Sequence, residues 1–232
     1  MDPRLAGTIA FLVGIITSFG LLWAITDRFH KKINEKDTMM SFIIGLFAGI
    51  VVVIGHLYII SYGDLGIVII SSFILALGEL LLYHIYLNRR KFRGRSDLRF
   101  IGIGFSLGIA GMYILFIIGH VFNNSGSIGP ELLLGLALFC FAVSIMRISS
   151  VLLLSRGERS GKIDRKLIVH AFVGAALLGM FNLLGFTYLI FDFLWTFALL
   201  VVLMSLLSLA ILFKDLYRLP DLSEEDREDQ DD

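Results

Sequence analysis

The sequence predicts an all-helical integral membrane protein, a bundle of seven transmembrane helices with its N-terminus outside and its C-terminus in the cytoplasm. Three observations lead there. Of the 232 residues, 57% are hydrophobic and 17% charged, with a mean hydropathy of +0.85; soluble domains carry about 25% charge. The apolar residues fall into runs as long as the ~20 residues a spanning helix needs. The Lys and Arg residues collect in alternate loops, a segregation that the formal net charge of zero conceals.

The runs lie near residues 5–26, 39–62, 65–87, 100–122, 131–155, 167–190 and 193–214. In the first, "MDPRLAGTIAFLVG" has only Arg4 before the apolar stretch and no small-residue cleavage site before the basic loop. It reads as a retained helix rather than a removed signal peptide. The breaks "DRFHKKINEKD", "YGDLG", "NRRKFRGRSDLR", "FNNSGSIGPE" and "SRGERSGKIDRK" separate the first six runs, and the weaker "IFDF" separates the last two. Residues 1–218 thus form one transmembrane domain. Residues 219–232 turn acidic after Pro220 without apolar periodicity, as expected of a disordered cytoplasmic tail.

Orientation follows from the basic residues. Arg28, Lys31, Lys32 and Lys36 occupy the first loop; Arg89, Arg90, Lys91, Arg93, Arg95 and Arg99 the third; Arg156, Arg159, Lys162, Arg165 and Lys166 the fifth. The second, fourth and sixth loops have none. The positive-inside bias makes the odd loops cytoplasmic, where they would meet anionic lipid. No aromatic stacking pattern accompanies the third loop, so nucleic acid is not an expected partner. Cys140 sits alone in an apolar run, which excludes an intrachain disulfide and suits a small packing residue. Charge bias without disulfides suits a multi-pass protein of a prokaryotic plasma membrane.

Charged residues inside a span are costly unless paired or facing a cavity. Glu79 precedes Arg89 by ten residues and Arg147 precedes Arg156 by nine. At about 1.5 Å rise per residue, both lie roughly 13–15 Å from the cytoplasmic end. An ion pair between the third and fifth spans is the simplest way to keep both charges there. A catalytic or substrate-binding Glu79, and independent snorkelling, are the other readings.

His56 and His120 lie near the outer ends of spans two and four, and His84 and His170 near the inner face. Two such pairs could hold b-type haems or a metal, although no His-x-x-x-His or Glu-x-x-His spacing supports this and interfacial histidines are commoner. Glu79 and His84 are about 140° apart on a straight helix, so a metal centre of Glu79, His84 and His170 would be incomplete. The pairs "GLFAG" (Gly45, Gly49) and "GFSLG" (Gly104, Gly108), followed by Gly111, are small-x-x-x-small patterns suited to close helix packing. Ser106 has no neighbouring base on its own helix.

Three stretches in order, "SFIIGLFAGIVVVIGHLYI", "LALGELLLYHIYLNRRKFRGRSDLRFIGIGFSLGIAGM" and "MRISSVLLLSRGERSGKIDRKLIVHAFVG", resemble the YhfC-type intramembrane metalloprotease family, akin in style to the PrsW and CAAX-processing membrane proteases. The resemblance runs from about residue 27 to residue 185. It implies a zinc-dependent peptidase bundle, yet where the family has paired glutamates and a following arginine this chain has Gly78, Glu79 and Leu82. Phe105 and Ile109 stand at the second motif's histidine and glutamate, and Met146 or Arg147 at the third motif's histidine. Only Glu79 and His170 remain, and zinc hydrolysis needs about three protein ligands and an activated water. The resemblance therefore implies a degenerate, non-catalytic member that binds or scaffolds other membrane proteins. An active protease with an atypical site, a haem electron carrier and a small transporter remain alternatives, the last without the repeats and broken helices common in transporters.

Overall fold

The computed structural model describes residues 3–29, 33–60, 65–92, 95–124 and 130–158, with scattered positions between 168 and 210. Five helices follow in order: α1 (Pro3–Arg28), α2 (Glu35–Ile60), α3 (Leu65–Leu87), α4 (Leu98–Asn124) and α5 (Pro130–Glu158). No strand occurs among the described residues. Three helical stretches there are long and apolar enough to cross a membrane: Glu35–Tyr58, Ile69–Leu87 and Leu98–His120; Phe139–Ser155 is a shorter apolar one. The expected runs at 167–190 and 193–214, and the acidic tail, lie largely or wholly outside the described residues.

Local chemistry sets the helix starts. Asn34 caps α2: its Oδ1 accepts the Asp37 N–H at 3.2 Å, and Glu35 and Asp37 place negative charge in the first turn. Asp97 stands just before α4, and its carbonyl accepts from the Phe100 and Ile101 N–H groups. Pro130 opens α5 at the one end of a helix where a missing N–H costs nothing.

α4 is the hub. Every residue from Phe100 to Gly111 is buried, as expected for a helix apolar on all sides. On one side Ile101, Phe105 and Ile109 pack with Val52, Leu80, Tyr83 and Val151; on the other Phe100, Ile103 and Leu107 pack with Leu22, Phe42 and Ile148.

Glycine makes these approaches close. A Cβ at Gly45 would strike the Phe105 carbonyl oxygen, and one at Gly108 the Phe42 carbonyl oxygen. At Gly104 it would lie 2.5 Å from the Thr38 carbonyl, and at Gly49 2.7 Å from Met112 Cβ. Gly14 brings α1 to α4 in the same way, 2.9 Å from the Gly111 oxygen and the Leu115 nitrogen. Small residues let backbones touch where lipid supplies no hydrophobic drive between helices.

The outward faces are apolar. On α3, Ile74, Leu77, Leu81 and Ile85 recur at helical spacing and are each 56–61% exposed; on α2, Phe47, Val51, Ile54 and Tyr58 recur likewise and are each 59–67% exposed. Continuous apolar surface of this kind is unfavourable in water and matches hydrocarbon.

Candidate functional site

Glu79 on α3 and Arg147 on α5 meet in the interior. Arg147 Nε donates to Glu79 Oε1 at 2.8 Å and Nη2 donates to Oε2 at 3.2 Å, with both side chains fully buried. This is the two-pronged geometry that a planar guanidinium forms best with a carboxylate. Tyr83, one turn after Glu79, donates its hydroxyl to Oε1 at 2.5 Å. The Arg147 Cζ stands 4.5 Å from the centre of the Tyr113 ring on α4, which adds cation–π attraction. Three helices thus contribute to one charge-neutral cluster. Arg147 Nη1 has no hydrogen-bond partner.

Aromatic packing supports the cluster. The Tyr83 ring meets Phe105 edge-on at 5.8 Å, and Phe105 stacks on Tyr86 at 4.1 Å. Phe105 stands where the metalloprotease resemblance would place a histidine, and its surroundings here are aromatic rings rather than ligands. Both oxygens of Glu79 are already held by donors. Among the described residues, no group of three or more His, Cys, Asp or Glu side chains gathers to hold a metal ion. The described residues therefore do not fit a catalytic zinc centre.

The other polar groups are placed as follows. His84 is half-buried near the end of α3, and His170 lies outside the described residues. His56 is fully buried within the protein: its Nδ1 donates to the Val52 carbonyl at 2.8 Å, and its ring lies 4.7 Å from that of Tyr113. His120 is half-buried, 6.0 Å from the Phe116 ring. Cys140 is buried. The hydroxyls of Ser106, Ser144, Ser150 and Ser155 donate to carbonyls of their own helices, at Ile103, Cys140, Met146 and Leu152. That is back-bonding within a helix, not activation of a nucleophile.

A second polar assembly joins the starts of α2 and α4 to the turn after α3. Arg95 donates to Asp97 from Nε (2.8 Å) and Nη2 (2.6 Å), and from Nη1 to Asp37 (2.5 Å). Lys91 reaches Asp37 at 2.7 Å, and Asp97 also accepts the Asn34 N–H at 3.2 Å. The Tyr86 hydroxyl donates to Ser41 at 2.7 Å. The Asp97 carboxylate, ahead of Asp37, holds the Arg95 guanidinium well above its ordinary pKa. Residues flanking the first and third loops therefore meet at one end of the bundle.

Sequence reasoning missed Tyr83, although its i+4 spacing from Glu79 was a usable signal. It also missed Tyr113, for which no local pattern exists, and the acidic partners Asp37 and Asp97. No protein family, curated protein or solved structure matches the chain.

Proposed function

We propose that this chain is a seven-span membrane protein built on the plan of an intramembrane metalloprotease, in which a fixed guanidinium stands in for the metal. It binds or scaffolds other membrane components rather than cleaving them. The observation that carries the reading is the state of Glu79, whose two oxygens are engaged by Arg147 and Tyr83. A metal-bound carboxylate needs free lone pairs beside an open position for water. On Glu79 three donors already take three of a carboxylate's about four lone-pair positions, so a metal would have to compete with Arg147 and Tyr83 for it, and a guanidinium cannot act as a general base. The pair keeps both charges tolerable inside an apolar bundle and locks α3 to α5 in one register. In this reading the odd loops face the cytoplasm of a prokaryotic cell and the N-terminus faces outside; the gathering of the first and third loop ends at one pole supports only that those two loops share a side.

Metal content and absorption of the purified full-length chain test the reading. The expected sample carries no stoichiometric zinc and shows no Soret band. Zinc at about one per chain, lost on Glu79→Ala or His170→Ala, would replace this reading with an active protease. A Soret band would replace it with a haem carrier.

A further inference from the structure

The turn after α3 carries three consecutive basic residues, Arg89, Arg90 and Lys91, with Arg95 close behind. The structure divides them into two groups. Lys91 and Arg95 face Asp37 and Asp97 at 2.5–2.7 Å, so two positive and two negative charges cancel inside the assembly. Arg89 and Arg90 are exposed, and among the described residues neither meets an acidic side chain. Among the described residues of this turn, the charge left without an acidic partner lies on those two arginines.

Their place relative to α3 suggests what they meet. Beyond Leu87 the chain stays coiled, with the Asn88 N–H on the His84 carbonyl at 3.0 Å and the Arg89 N–H on the Tyr86 carbonyl at 3.4 Å. Arg89 therefore follows directly from the end of the helix that carries the apolar stripe Ile74, Leu77, Leu81 and Ile85. The Arg89 guanidinium lies 4.9 Å from the centre of the Tyr86 ring. Contact with a ring occupies the face of a guanidinium and leaves its in-plane N–H groups free for a phosphate.

We propose that Arg89 and Arg90 bind the phosphate headgroup of an anionic phospholipid whose acyl chains lie along the exposed apolar face of α3. The inference rests on the membrane reading above. The apolar stripe ending at the two arginines selects a lipid over free phosphate, because a soluble anion gains nothing from Leu81 and Ile85. Two planar forks suit the oxygens of a phosphate better than the single point charge of Lys91, which Asp37 already holds.

The test uses the full-length chain reconstituted in phosphatidylcholine vesicles with a trace of spin-labelled phosphatidylglycerol or spin-labelled phosphatidylcholine. The motionally restricted fraction of each label gives their relative association at the protein surface. Wild-type protein should prefer phosphatidylglycerol, and the preference should fall by about fivefold or more in Arg89→Gln/Arg90→Gln. It should persist in Lys91→Gln, fall to an intermediate level in Arg89→Lys/Arg90→Lys, which keeps the charge but loses the planar forks, weaken in high salt, and resist inorganic phosphate at constant ionic strength. Unchanged preference in the double glutamine variant, an equal loss in Lys91→Gln, or displacement by inorganic phosphate would overturn the proposal. A restricted fraction absent for both labels would overturn the membrane reading with it, so the two failures are distinguishable.

Discussion

Arg147 on α5 reaches Glu79 on α3 across 2.8 Å, and neither side chain touches the surface of the protein. A buried pair of this kind contributes little net stability when compared with apolar residues of the same shape, because taking both charges out of water costs about what their attraction returns. Removing one partner is different, since it strands the other charge.

The pair should therefore show strong coupling. Arg147→Ala is expected to destabilise the detergent-solubilised protein by about 3–5 kcal/mol, and adding Glu79→Gln should recover most of that loss. Tyr83→Phe should cost about 1–3 kcal/mol, because Oε1 loses one of its two donors. Thermal unfolding of Arg147→Ala, Glu79→Gln, the double variant and Tyr83→Phe provides the check. Additive damage from the Arg147 and Glu79 changes would mean that the two residues act independently.

Two pairs of glycines differ sharply in what lies beyond them. Gly45→Ala and Gly108→Ala drive a methyl group into a backbone oxygen of the facing helix, so α2 and α4 must separate. A loss of about 1–3 kcal/mol or more is expected. Gly20 and Gly78 have nothing within 4 Å of an added Cβ, and alanine there should be neutral or stabilising by up to about 1 kcal/mol. Melting temperatures in one detergent compare the four directly.

The polar assembly at the ends of the first and third loops should weaken unevenly. Lys91 is 64% exposed, so Lys91→Gln should cost no more than about 1 kcal/mol. Asp97 is buried and holds both Arg95 and the Asn34 N–H; Asp97→Ala should cost about 1–3 kcal/mol. Hydrogen exchange at the Asn34 amide should accelerate in Asp97→Ala and stay near wild type in Lys91→Gln.

The proposed topology can be read with fusions. Green fluorescent protein at the C-terminus should fluoresce, and alkaline phosphatase inserted after Gly126 should be active, as positive-inside orientation requires. Phosphatase activity from an insertion at Gly94 would reverse the orientation.

The helical class, the approximate ranges of the five described helices and the presence of helices long and apolar enough to cross a membrane were legible in the sequence because hydropathy is a local property: each run declares itself without reference to its neighbours. The similar depth of Glu79 and Arg147 was legible for the same reason, since rise per residue is fixed along a helix. Whether two residues at one depth touch depends on how each helix is rotated and how closely its axis approaches, which packing decides. Tertiary structure alone brought Tyr113 beneath Arg147, set Phe105 against Tyr86, and seated Gly45 and Gly108 on backbone oxygens of the facing helix. It also separated Lys91 and Arg95, which meet Asp37 and Asp97, from Arg89 and Arg90, which meet neither, although the four look alike in sequence. Charge is written residue by residue, but its compensation is a relation between distant segments, and only the fold supplies that relation.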